Sequence, residues 1–268
     1  MVGGGTAADE QGTPRASAAL WWVPATSMSF LTVVHVPRTE VTPVVMARAI
    51  ALFPLVGAAL GALLGGIGFL LDRALPASPI AALLLAAAAA ATGALHLDGL
   101  MDTADGAFGG RTRERRLEIM RDSRVGAFGV AAALLIVLAQ YACLAELTGA
   151  GRLVALVTAY TASRWAMVLA LGLFPPARSD GLGASVCAVA GRRPLLAATI
   201  FAVAIGLGTG LVGILGLVAA GTVALAGGSL LTRRLGGLTG DAYGALAVVS
   251  ETAALYLAVA LQSHGVSS

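Results

Sequence analysis

The sequence predicts an all-α, polytopic integral membrane protein: a helical bundle of about seven transmembrane helices preceded by an N-terminal interfacial helix. Three observations carry this. Of the 268 residues 58% are hydrophobic, and the mean hydropathy is +0.88, more apolar than a domain that must face water. Several apolar runs approach ~20 residues, enough for a helix to cross a ~30 Å hydrocarbon core. None alternates with period two, and lipid offers no partner for free backbone groups, so helices rather than a closed barrel satisfy the chain.

The elements follow in order. Residues 1–17, "MVGGGTAADEQGTPRAS", are small and polar and lack the basic and apolar regions of a cleaved signal, so they read as a disordered tail. The stretch 19–37 is interrupted by Pro24 and bounded by Pro37; its paired Trp21 and Trp22 suit an interfacial or re-entrant helix. Spans are expected near 49–71, 79–97, 126–147, 153–174, 195–211, 213–231 and 242–262. Together 18–262 form one membrane domain, with a short tail at 263–268. The 35 glycines have two readings, close approach of packed helices or compositional drift. Cys143 and Cys187 make neither a disulfide framework nor a metal-ligand spacing.

All 17 basic residues other than histidine are arginine. Placing the 96–125 connection in the cytoplasm puts fourteen of the 17 on that side, leaving Arg73 and Arg152 opposite and Arg164 within a span.

That connection carries the chemistry. In "HLDGLMDTADGAFGG" (96–110), Asp98, Asp102 and Asp105 stand at i, i+4 and i+7 and share one face if the second span continues as a helix through them. Like charges so close repel unless a cation sits among them. Further on, Glu118 and Asp122 repeat the i, i+4 spacing, so two acidic faces would meet across a cleft. Hard oxygen donors without a His or Cys cluster favour Mg²⁺, or Mn²⁺, and Mg²⁺ commonly shares its coordination with substrate phosphates. Arg111, Arg113, Arg115, Arg116, Arg121 and Arg124 interleave with the acids and supply guanidinium forks for phosphate, although any one of them alone is better explained by topology. "GAFGG" offers backbone N–H groups to a phosphate, and Thr112 is placed to cap the next helix. His96 points away from the acids and reads as an interface histidine with its hydrogen bonds made. Arg164 and Glu251 lie inside spans, where they pair with each other or line a polar substrate cavity; Asp241 stands at the start of the last span, where a helix N-terminus favours an anion.

These segments, with "SRW" and "GGLTGDAYGA" ahead of Glu251, resemble the cobalamin synthase family, the adenosylcobinamide-GDP ribazoletransferases, over nearly all of residues 27–262. The resemblance implies that 18–262 is a Mg²⁺-dependent transferase domain in the bacterial inner membrane, its site facing the cytoplasm. Its partners would be the lipid bilayer, adenosylcobinamide-GDP and α-ribazole or its 5′-phosphate, with GMP released and no nucleic acid involved. Asp98, Asp102, Asp105 and Asp122 would be catalytic and, with Glu118, hold metal. Arg111, Arg115, Arg116, Arg121, Arg124, Arg164, Asp241 and Glu251 would bind substrate. Where relatives read close to T-R-x-P-V-P, this chain has "TVVHVP", with Val33 and His35 in place of the arginine and the first proline, so no phosphate role attaches there. A weaker similarity is to CDP-alcohol phosphotransferases, echoed by "DTADG" and "EIMRD". Two alternatives from other classes remain: an ion transporter, which would need acids at the midplane of several spans whereas these cluster at one face, and a non-catalytic membrane scaffold, which needs no co-facial acids at all.

Overall fold

The computed structural model describes residues 18–35, 41–178, 186–188 and 191–264, and these are helical with short connections. The expected tail 1–17, most of 263–268, Pro37 and Arg38 lie outside the described residues. The helices are α1 (Ala18–Leu31), α2 (Pro43–Ala51), α3 (Phe53–Leu71), α4 (Ala77–Thr92), α5 (Leu95–Gly109), α6 (Arg113–Ile119), α7 (Ala127–Glu146), α8 (Gly149–Leu173), α9 (Arg192–Gly208), α10 (Gly210–Leu235) and α11 (Gly240–Ser263).

Among the described residues five helices, α3, α7, α8, α10 and α11, are long and apolar enough to cross a membrane, and α4 with α5 makes a sixth if the bent pair is one span. The expected fifth span, 195–211, corresponds to α9, which is 17 residues long. Helix α8 is the axis of the bundle, with 72% of its apolar window buried, whereas α7 is a peripheral helix with 22%. The expected first span, 49–71, is divided at Leu52, which closes α2; Pro54 then opens α3, where its missing N–H costs no hydrogen bond. Helix α1 runs through Pro24 and is tied to α2 by Ser27 Oγ, which donates to the Ala49 carbonyl at 3.0 Å.

Helix α3 packs more extensively on α8 than on any other helix, and the reason lies in Gly57, Gly61 and Gly65, one per turn on a single face. A Cβ on Gly57 or Gly61 would run into the backbone carbonyls of Tyr160 and Leu156, and one on Gly65 into Leu153. Small residues at this spacing let two backbones touch, which supplies dispersion energy where lipid weakens the hydrophobic drive. For these three glycines the close-approach reading holds; Gly66 next door has nothing within 4 Å of where a Cβ would stand.

At the far end of α3, Arg152 is fully buried and donates from Nη1 to Asp72 Oδ1 at 2.8 Å, while the Gly149 N–H donates to Asp72 Oδ2 at 2.8 Å. One carboxylate thus joins the end of α3 to the start of α8.

The second expected span, 79–97, does not continue as one helix. Gly93 and Ala94 both adopt left-handed backbone, with φ of 60° and 54°, and the axis turns by 88° between α4 and α5. Gly93 tolerates this freely, Ala94 at a cost of about 1–2 kcal/mol. Helix α5 then lies across the ends of α7 and α11: Gly99 meets the Asp241 backbone and Gly244 meets His96. The acids keep their i, i+4, i+7 order, but on a helix crossing the bundle end rather than extending a span.

Gly57→Ala is expected to destabilise the protein by about 1–3 kcal/mol through overpacking against α8, whereas Gly66→Ala changes stability little. Thermal unfolding midpoints of both variants in one detergent check the contrast.

Candidate active site

The crossing of α5 over α11 creates a cleft of about 490 Å³ at the acidic end of the bundle. Asp98 enters it from α5, Asp241 and Thr239 from the start of α11, Arg178 from the strand-like connection after α8, and Phe30 and Phe53 form an apolar wall. The floor is fixed by backbone: Ala177 N–H donates to the Leu238 carbonyl at 2.8 Å and Leu238 N–H to the Pro175 carbonyl at 2.9 Å, tying the two connections together. Gly237, at φ 152°, sits against the backbone of Pro175, Pro176 and Ala177. Thr239 accepts from the Ala242 N–H at 3.2 Å and caps α11, so the helix N-terminus opens into the cleft.

Asp98 and Asp102 stand one turn apart, and the charges of Asp98, Asp241 and Asp105 all act on Asp102. Neither Asp98 nor Asp102 accepts a hydrogen bond or joins an ion pair among the described residues. Two unneutralised carboxylates beside a third are an arrangement a cation relieves. Yet no three His, Cys, Asp or Glu side chains among the described residues converge as a metal cage. The donor set therefore suits a hard ion that takes one or two carboxylates and completes its shell with phosphate oxygens and water.

The five-carboxylate set expected from spacing is not assembled. Asp105 is buried and accepts from the Gly126 N–H at 2.7 Å and the Gly129 N–H at 2.8 Å, so its charge sits on the N-terminus of α7. Glu118 is exposed and paired with Arg115 at 2.8 Å. Asp122 falls outside any helix, because α6 ends at Ile119, and the i, i+4 geometry assumed for it does not form. Instead it accepts a fork of bonds from Arg124, with Nη2 to Oδ2 at 2.6 Å. The Arg124 hydrogen bonds hold its carboxyl down at about 2, so this exposed pair is intact from neutral pH to about pH 4 and is lost only as pH falls toward 2.

The arginines divide by task. Arg113 donates to the Leu235 carbonyl and the Ala177 carbonyl, each at 2.8 Å. Arg116 donates to the Gly110 carbonyl at 2.9 Å and the Arg234 carbonyl at 3.1 Å. Arg116, expected to bind substrate, is thus engaged with backbone, because the ends of α5 and α10 leave carbonyls that need donors. "GAFGG" is not a phosphate loop: it completes α5, and Gly106 and Gly110 pack against Met120 and Arg116. Thr112 caps α6 as expected, accepting from the Arg115 N–H at 3.3 Å. Arg111 is exposed, and Arg121 with Arg178 lines a shallow basin of about 380 Å³ next to the cleft.

Arg164 and Glu251 meet inside the bundle, Nη1 to Oε2 at 3.0 Å. Gln140 Nε2 donates to Glu251 Oε1 at 3.3 Å, Arg164 Nη1 also reaches Ser163 Oγ at 2.8 Å, and the guanidinium lies 4.9 Å from the Tyr160 ring centre. The pairing raised by the sequence forms; the pair also lines a second, largely apolar cavity of about 610 Å³ between α4, α7, α8 and α11.

Two cleft residues are not among the site residues expected from the sequence. Arg178 counted only toward topology; its electrostatic reach to Asp241 depends on the 175–178 connection. His96 is buried but its Nε2 has no hydrogen-bond partner, contrary to the expectation of a satisfied interface histidine, and it lines both cavities.

Fold and site together define a class: a helical integral membrane enzyme whose carboxylates and arginines surround a cleft at one end of the bundle. The chain belongs to the cobalamin-5-phosphate synthase family, whose model matches residues 24–259. A protein of Desulforamulus reducens is 40% identical over 237 residues, covering 86% of this chain and 93% of its own length. One of Syntrophobacter fumaroxidans is 42% identical, with 90% and 100% covered, and one of Escherichia coli O127:H6 is 38% identical, with 87% and 96% covered. Each of the three is named adenosylcobinamide-GDP ribazoletransferase. No solved structure matches the chain.

Asp105→Ala is expected to cost about 1–2 kcal/mol by leaving the α7 N–H groups unsatisfied, with Asp105→Asn intermediate, read as a fall in the thermal midpoint. Glu251→Gln alone leaves a buried guanidinium without its counter-charge and costs about 3–5 kcal/mol; adding Arg164→Gln recovers much of that stability. The three midpoints, compared as a double-mutant cycle, check it.

Proposed function

We propose that this enzyme joins adenosylcobinamide-GDP to α-ribazole or its 5′-phosphate and releases GMP, with its site on the cytoplasmic side of a bacterial inner membrane. The observation that carries the reading is the unpaired Asp98–Asp102 step facing Asp241 and Arg178 across a cleft at a helix N-terminus. The names of the relatives supply the substrates.

In this reading Asp98 and Asp102 would hold Mg²⁺, with the Asp241 carboxylate close by adding negative charge. The ion, when bound, neutralises charge on the pyrophosphate and on the departing GMP. Arg178, whose Nη2 is held by the Leu117 carbonyl at 2.7 Å, turns the remainder of its guanidinium to the leaving phosphate, and the N–H groups at the start of α11 donate to another phosphate oxygen. The basin lined by Arg113, Arg121 and Arg178 accommodates the guanosine side of the donor. A carboxylate of the cleft accepts the proton of the attacking ribazole hydroxyl, which is oriented in line with the leaving group. Phe30, Phe53 and Met167 wall the cleft with apolar surface, limiting access of water as a competing nucleophile.

Asp98→Asn and Asp102→Asn should each lower the rate of Mg²⁺-stimulated GMP release by about 10²–10³ without lowering the thermal midpoint. Near-normal turnover of either variant at low Mg²⁺, in purified protein assayed with both substrates, would contradict the assignment. For orientation, Glu114→Cys, a 78% exposed position at the acidic end, is expected to resist a membrane-impermeant maleimide in intact cells and to react in inverted vesicles.

A further inference from the structure

We propose that the 610 Å³ cavity between α4, α7, α8 and α11, open along α4 and polar at its inner end, is the binding slot for the flat, uncharged heterocycle of the acceptor nucleoside, with His96 forming the passage to the catalytic cleft. The inference rests on the transferase reading and names the part of the site that takes the acceptor's base.

The cavity has two unlike sides. From α4 it is walled by Ala82, Ala86 and Ala89, whose small side chains leave a smooth apolar face, and Val137 and Leu138 close its rim at the lipid-facing surface. Opposite stands the polar group of Gln140, Tyr160, Arg164 and Glu251. Arg164 spends Nη1 on Glu251 and Ser163, and its Nη2 has no hydrogen bond among the described residues. His96, 5% exposed, brings an unpartnered Nε2 to the same space. A buried imidazole nitrogen without a partner is costly unless a ligand supplies one.

This chemistry selects among the molecules the reaction uses. An amide-bearing corrinoid needs many polar partners, and a guanine nucleotide brings phosphates; an alanine-walled slot with a few donors serves neither. A benzimidazole is planar, mostly carbon, and carries one ring nitrogen that accepts a hydrogen bond, which Arg164 Nη2 or His96 Nε2–H would donate. Such sites are typically apolar with a small number of placed polar groups. The position also fits: His96 lines both cavities and Asp98 lines the second of them, the cleft, so a base in the slot leaves its ribose next to the space that the imidazole shares with that carboxylate.

The test uses purified full-length protein in detergent, α-ribazole and adenosylcobinamide-GDP. Ala89→Leu fills the slot from its exposed wall and should raise KM for α-ribazole about tenfold or more, leaving KM for the donor unchanged and kcat within about twofold. The unsubstituted benzimidazole riboside, being smaller, should suffer less. In parallel, Ala89→Cys, a small change that spares packing, should react with a permeant maleimide above the background of the unsubstituted protein, and α-ribazole alone should protect it. An unchanged acceptor KM in Ala89→Leu, a rise confined to the donor KM, or absence of protection at Ala89→Cys overturns the slot. Protection by added phospholipid but not by α-ribazole overturns it in favour of a lipid site. If the unsubstituted protein releases no GMP from these substrates, the functional reading fails instead, a result separate from the labelling.

Discussion

The turn at Gly93 and Ala94 decides where every acidic group of the cleft goes. Had α4 continued straight, Asp98, Asp102 and Asp105 would have formed a stripe along one span. The 88° bend lays them across the bundle end, so that Asp98 lines the cleft, Asp102 stands one turn on within the field of Asp98 and Asp241, and Asp105 reaches α7. Contact between α5 and α11 is made through Gly99 and Gly244, so the helix can lie down only where backbone meets backbone. The left-handed Ala94 is held in place by its N–H bond to the Ala89 carbonyl at 2.9 Å and by the packing of α5 beyond it.

A second constraint is the scarcity of partners inside the bundle. The α3–α8 seam solves it with glycine and backbone contact, while Arg152 and Arg164 solve it with a dedicated carboxylate each. Burial of such charges is tolerated when the counter-charge is fixed on a neighbouring helix. The Arg164–Glu251 pair differs from Arg152–Asp72 in facing a cavity, and polarity at that depth gives the interior a direction, from the bilayer rim at Leu138 to the imidazole at His96.

Much of this was legible in the sequence, for identifiable reasons. Spans show because apolar length is a one-dimensional property, and Arg164 and Glu251 show because a charge in such a run has to be answered. The acidic cleft was legible as a cluster but not as a set of separate tasks. Nothing near Gly93 distinguishes a bend from a glycine tolerated in a helix, and a left-handed alanine has no sequence signature. Asp122 was read onto a helix that stops at Ile119. Arg116 was read as a phosphate ligand because its carbonyl acceptors, Gly110 and Arg234, lie on two different elements that only the fold brings together. His96 reads from the sequence as a satisfied interface histidine because a missing hydrogen bond is a property of surroundings, not of residue type.

The arginines that bind backbone carbonyls give the acidic end a particular tolerance. Arg113, Arg116 and Arg234 act as cross-links between α5, α6, α10 and the connection after α8, and their acceptors are peptide dipoles rather than opposing charges. A guanidinium reaches two such acceptors with fixed fork geometry, which the single ammonium of a lysine does not match. Mobile ions screen exposed ion pairs over about 8 Å at physiological ionic strength, but they compete weakly with part-buried donors already seated on carbonyls. The pairs Arg115–Glu118 and Arg124–Asp122 therefore loosen as salt rises, while the frame around the cleft keeps its shape. The scaffold at the water boundary is insulated from the ionic composition of the solution that bathes it.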